Sequence, residues 1–308
     1  MEKLTIALDW TANTNHTGFF VALAKGFYKE SNLEVTLRSP ESDNYEKTPA
    51  KLLVEEQVEI AIAPSETVIA YSSRTDRPNL IAIAALLQKD ASAIVSLKAG
   101  KIKTLKDLDG RKYASYDARF EDTIVQEMVK KAGGKGLHIK TTPEKLGIWN
   151  TLLTGEADAT WVFMPWEGIM AKRKNIPLNS FTLDQSDIPY GYSPVLLARP
   201  DFLEGKDEVI KKFLAATAIG FQWAIDNPKE AAVILQDLGK HADLADLEFV
   251  QESQEAINPF YVNTKKQWGV MKEYRWKNFV AWLTTNKLLT KEEVDLVKKN
   301  TLYTNKYL

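Results

Sequence analysis

Residues 4–24 constrain the fold more than any other stretch. Leu4, Ile6 and Leu8 alternate with Thr5 and Ala7, the two-residue period of a half-buried strand. Asp9 to Thr17 then hold two Asn, three Thr, one Asp, one Trp and one His, with no long aliphatic residue. After Gly18, the run Phe19 to Ala24 has the apolar density of a helix, and Lys25-Gly26 reads as its C-cap. In an open α/β sheet such a loop lies at the carboxyl end of a strand, beside helix N–H groups that lack intrahelical partners. Ligands of these sheets bind there. Trp10 among short hydrogen-bonding side chains suits a flat polar ligand, with Asn13 and His16 as polar contacts. Thr, Asn and Asp are also ordinary turn and capping residues, and composition leaves both readings open.

The alternation continues. Strands are expected over 33–37, 58–63, 80–87 and 93–97, with helices over 46–57 and 68–73 between them. Ser65 is placed as an N-cap. Strand and helix in turn, at this spacing, predict a largely parallel sheet. The character changes near Lys98 to Lys101, and a second series begins. Strands are expected over 113–115, 138–140, 157–163 and 180–183, with helices over 121–132, 145–153 and from Pro165. Residues 190–198 return to the first series, and from Asp201 the pattern is helical: 208–225, 228–237, 247–257, 268–283 and 291–299. Trp223, Trp268, Trp276 and Trp282 are expected to pack these helices onto the first lobe.

A chain of 308 residues exceeds the usual size of one hydrophobic core, so two domains are expected. The expected division is 1–88 plus 193–308 and 93–188, with crossings near 89–92 and 189–192 as a hinge, bounds that rest on the family resemblance given below. The halves share a pattern: Glu59 to Glu66 and Asp158 to Glu167 both read acid, strand, proline, helix-start acid. Each lobe would therefore offer strand-end residues to a shared cleft. These are Ser65 and Glu66 in the first, and Tyr116, Phe120, Trp166 and Glu167 in the second, with Tyr190 at the return crossing.

Several functional classes find no support. A net charge of -1 gives no basis for a nucleic-acid or anionic-membrane partner. No window approaches the ~18 apolar residues needed to span a bilayer. Zero Cys removes thiol catalysis and Cys-ligated metal sites. His16, His138 and His241 lack metal-ligand spacing, so no metal is expected. There is no Walker loop and no nucleophile elbow. Gly133-Gly134-Lys135-Gly136 ends a helix rather than opening one, so it is no phosphate cradle, and no cofactor is expected. Met1-Glu2-Lys3 runs directly into the first strand, an arrangement expected of a cytoplasmic protein if the chain is complete. A trimmed leader would instead imply a periplasmic or extracellular one.

Residues 8–28 closely resemble the opening of the thiamine-pyrimidine family within the type II periplasmic-binding-protein fold. The resemblance continues through Leu105 to Lys112, Gly155 to Ala159 and Pro165-Trp166-Glu167-Gly168, covering about residues 4–235. It implies a two-lobed α/β fold, each lobe a mostly parallel sheet flanked by helices, with a helical C-terminal tail. One branch of the family binds formylated aminopyrimidine thiamine precursors. The other builds the thiamine pyrimidine from pyridoxal phosphate and a histidine of its own chain. The lysine and histidine that the enzyme branch resembles here fall on Ala63 and Thr67, and neither supplies the amine an imine requires. The enzyme branch also carries a cysteine-rich motif that this chain lacks. The resemblance therefore implies a non-enzymatic binding protein for a small heteroaromatic, a thiamine-type aminopyrimidine, with a transporter permease as partner if the protein is exported. Two alternatives stand beside it: binding of another small solute, such as a sulfonate or amino-acid-like compound, and a divergent pyridoxal-phosphate-dependent synthase.

Overall fold

The structure, a computed structural model, describes all 308 residues. Ten strands form: β1 (Glu2–Ala7), β2 (Leu33–Arg38), β3 (Ile60–Ala63), β4 (Ile81–Ala85), β5 (Ser92–Leu97), β6 (Lys112–Ala114), β7 (Ile139–Thr141), β8 (Ala159–Phe163), β9 (Leu178–Phe181) and β10 (Val195–Ala198). The chain divides into two compact units. The first comprises 1–90, 191–276 and 289–308, and the second 91–190 and 277–288.

In the first unit the sheet order is β2-β1-β3-β10-β4. β1 pairs in parallel with β2 and β3, while β10 runs antiparallel to both β3 and β4. Four strands therefore share one direction. The central β3 is buried along its whole length, as a strand covered on both faces must be, whereas β2 alternates buried Leu33 and Val35 with exposed Glu34 and Thr36. The C-terminus covers the β4 edge: Ala82 N–H donates to Leu302 O, and Thr304 N–H to Ala82 O, each at 2.9 Å.

The second unit repeats this plan. Its order is β7-β6-β8-β5-β9, with β6 parallel to β7 and β8, and β5 antiparallel to β8 and β9. The pattern shared by the two halves has a matching structural role. Thr5 N–H donates to the Glu59 carboxylate at 2.7 Å, and Lys112 N–H to the Asp158 carboxylate at 2.9 Å. Each acid extends the ladder at the entry to a strand, β3 in one unit and β8 in the other.

The helix Thr17–Ala24 follows the opening polar loop and is apolar on nearly every side because it is buried on nearly every side. It packs on the helix Asp207–Asp226 through two glycines. A Cβ at Gly220 would lie 2.1 Å from Gly18 O, and a Cβ at Gly18 would lie 2.2 Å from the Phe221 ring. Lys25 caps the shorter helix and Gly26 follows at φ +80°, the left-handed conformation expected there.

Some expectations shift. The helix expected over 46–57 shrinks to Pro49–Val54, where Thr48 Oγ1 caps and Pro49 opens the first turn. Ser65 is not the N-cap of Ser65–Ser72 but its first residue, Pro64 taking the cap position. Trp268 precedes the helix Glu273–Thr285 and stacks on Phe221, 5.0 Å between ring centroids. Trp276 stacks on Tyr303 in the first unit, but Trp282 lies with Phe279 in the second. No helix is long and apolar enough to cross a membrane.

Candidate functional site

In each unit the strand order reverses beside the first parallel strand, between β1 and β3 and between β6 and β8. A loop leaving one strand and a loop leaving its neighbour diverge at that point and leave a crevice at the carboxyl ends. The registers Ala7–Ala61 and Ala114–Thr160 make the paired strands neighbours there. The loop with Trp10, Asn13 and His16 leaves β1, and the helix start with Ser65 and Glu66 follows the neighbouring β3. In the second unit, the loop with Tyr116 and Phe120 leaves β6, and the turn with Trp166 and Glu167 follows the neighbouring β8.

The first-unit loop is held from within. His16 is fully buried, its Nε2 2.7 Å from Asp9 Oδ1, while Asn13 N–H points at its Nδ1 at 3.4 Å. An N–H aimed at Nδ1 selects the tautomer with the proton on Nε2, so the ring donates to Asp9. Asn13 Oδ1 accepts from Asn15 N–H at 2.8 Å, and its Nδ2 donates to Thr11 O at 2.9 Å, capping the turn Thr14–His16. Both residues, expected to contact a ligand, also brace the loop from within through these bonds.

Trp10 is only half-buried and rests against Tyr45, with centroids 5.7 Å apart at 55°. Tyr45 comes from the loop after β2 and donates its hydroxyl to Asp9 O at 2.7 Å. Burial, reinforced by the Asp9 and Asp43 carboxylates, pushes its phenol pKa up, so it stays a donor. Sequence reasoning missed Tyr45. The available signal was an aromatic residue in the polar loop at the carboxyl end of β2.

At the end of β3, Ser65 is fully buried and makes a reciprocal pair with the return segment. Its N–H donates to Tyr192 O at 2.8 Å, and its Oγ accepts from Tyr192 N–H at 2.9 Å. Glu66 follows in the first helical turn, where a carboxylate is favoured by the helix N-terminus. Ala63 ends β3 and Thr67 is the third residue of the helix.

In the second unit a buried carboxylate, Glu121, organises the loop after β6. It accepts from the Tyr113 hydroxyl at 2.8 Å, Tyr116 N–H at 3.1 Å and Ala118 N–H at 3.2 Å. Burial raises its pKa, and the donors only partly offset this. This residue too escaped sequence reasoning, because its contacts close only when loop and helix meet. Tyr116 remains half-buried at the loop. Phe120 is 1% exposed, its ring below the Arg119 guanidinium. After β8, the turn Met164–Gly168 carries Trp166 and Glu167, both largely buried, and Glu167 Oε2 accepts from Phe163 N–H at 3.1 Å. Tyr190 packs between Trp161 and Phe279, with ring centroids at 5.7 and 5.1 Å.

The arrangement is suited to binding. It offers aromatic faces and helix-start carboxylates on loops pinned by buried hydrogen bonds. The one His at a crevice has both nitrogens engaged within its own loop. No three His, Asp or Glu side chains are grouped to hold a metal ion.

Comparison with known proteins agrees with this geometry. Residues 13–231 match the family described as NMT1/THI5 like. A Haemophilus influenzae protein named for thiamine biosynthesis is 27% identical over 60% of this chain, which spans only about half (55%) of that relative. The formylaminopyrimidine-binding protein of Halalkalibacterium halodurans is 23% identical, over 92% of this chain and 85% of its own. A 4-amino-5-hydroxymethyl-2-methylpyrimidine phosphate synthase of Legionella pneumophila is 21% identical, over 76% and 72%. Among solved structures, the alkanesulfonate-binding protein SsuA of Xanthomonas axonopodis, bound to MOPS, superposes with a TM-score of 0.73 at 11% identity, over 99% of both chains. The fold is that of a type II periplasmic binding protein.

Proposed function

The chain belongs to the NMT1/THI5-like family, and from that premise we propose that it is a solute-binding protein for a thiamine-type aminopyrimidine precursor. The observation that carries this reading is Glu167. It is anchored to the end of β8 through Phe163 N–H, in the first turn after Pro165 and next to Trp166. An ionised carboxylate only accepts hydrogen bonds, so it suits an exocyclic amine and a protonated ring nitrogen presented together. Trp10 and Trp166 supply aromatic faces of the kind that stack on such a ring. Glu66 occupies the corresponding helix start in the first unit. We take the crossings at 89–92 and 189–192 as the hinge about which ligand closure would occur, with a transporter permease as partner if the protein is exported.

Mass spectrometry of small molecules released from purified protein, followed by calorimetric titration, tests the reading. Tight binding of an aminopyrimidine and none of an alkanesulfonate supports it, and the reverse order overturns it.

A second reading is an enzyme of the synthase branch, favoured by the Legionella relative's name. Ala63 and Thr67 speak against it. Incubation with pyridoxal phosphate separates the two: an imine absorbance band would revive the synthase, and its absence would leave the binding protein.

A further inference from the structure

Arg275, in the first turn of the helix Glu273–Thr285, reaches two chain segments that are distant in sequence. Its Nη1 donates to Gln88 O at 2.6 Å, and its Nη2 donates to Gly191 O. The same guanidinium lies over the Tyr192 ring, 3.9 Å from its centroid. Gln88 lies two residues before Asp90, where the first segment of the first unit ends, and Gly191 begins the segment that returns to it. Both segments are fixed further by the first unit: Gln88 N–H donates to Phe260 O at 2.6 Å, and the Tyr192 hydroxyl accepts from Lys272 N–H at 2.8 Å. Tyr192 is also the residue whose backbone pairs reciprocally with Ser65.

We propose that Arg275 is a positioning residue that clamps the outgoing and returning crossings into one joint. Through Tyr192, it ties that joint to the helix start bearing Ser65 and Glu66. The choice of side chain follows from the geometry. A planar guanidinium can donate to two carbonyls through two nitrogens while lying flat on an aromatic ring, whereas an ammonium has its donors on one nitrogen and no planar face to stack. Of the four places where the chain passes between the units, 90/91, 190/191, 276/277 and 288/289, these first two, held separately, could twist independently. Held by one fork, they move as a pair, and movement there is felt at Ser65. Arg275 lies outside the 13–231 segment that the family match covers.

Hydrogen exchange of the unliganded protein tests this without knowledge of the ligand, so its outcome is independent of the proposed function. In Arg275→Lys, peptides spanning 86–92, 189–193 and 64–72 should exchange about tenfold faster, while those spanning 207–226 keep their wild-type rates. Arg275→Gln is the second variant if the lysine protein folds poorly, and it is judged by the same contrast. Wild-type rates in the crossings would overturn the proposal. So would acceleration of equal size in 207–226, which would mark general loosening of the first unit.

Discussion

His16 Nε2 stands 2.7 Å from Asp9 Oδ1, so the ring that ends the opening loop holds the residue that begins it. With Asn13 N–H on the other nitrogen, the imidazole is the loop's internal brace. Replacing His16 with Leu removes both hydrogen bonds and leaves buried groups without partners. The expected cost is roughly 1–3 kcal/mol, read as a lower urea midpoint at constant slope. An unchanged midpoint would show that the loop does not depend on this brace.

Trp10 is the residue of that loop best placed to meet a ligand, because it is half-buried and supported on one side by Tyr45. Trp10→Ala should weaken aminopyrimidine binding by more than it lowers stability, since aromatic pairs contribute roughly 0.5–1.5 kcal/mol beyond area burial. Paired calorimetry and thermal melts compare the two effects. A large fall in melting temperature at unchanged affinity would assign Trp10 to the core.

Glu167→Gln keeps the side chain's shape but turns one acceptor into a donor. Affinity for the aminopyrimidine should fall by about tenfold or more, the equivalent of roughly 1.4 kcal/mol. Equal affinities in calorimetric titration would remove Glu167 from the site.

Glu121 predicts a pH dependence. Burial raises its folded-state pKa above the unfolded value of about 4.3, so the folded protein prefers the protonated acid. The stability this contributes is fully present below the unfolded pKa and is lost as pH rises through the folded one. Urea unfolding of wild type and Glu121→Gln across this window should show the step in the wild type only. Parallel curves would mean that the carboxyl titrates normally.

Gly220→Ala would set a methyl 2.1 Å from Gly18 O, a backbone atom that cannot rotate away. The helices Thr17–Ala24 and Asp207–Asp226 would have to separate, at a cost of typically 1–3 kcal/mol and a lower melting temperature. A wild-type melt would show that they part freely.

The sequence by itself determined the strand and helix alternation, the doubled plan and the strand-end location of the crevice residues, because two-residue and helical periods are local and each loop follows its own strand. It also carried the shared role of Glu59 and Asp158, since an acid before a buried strand reads the same in both halves. Tertiary structure decided which polar side chains face inward. Asn13 and His16 look like ligand contacts in one dimension, yet their partners, Thr11, Asn15 and Asp9, become partners only when the loop closes. The burial of Phe120 and the packing of Tyr190 between Trp161 and Phe279 were likewise set only by the folded chain. Tyr45 and Arg275 act across distances no local pattern encodes. Their hydrogen bonds form between segments that meet only in the folded chain.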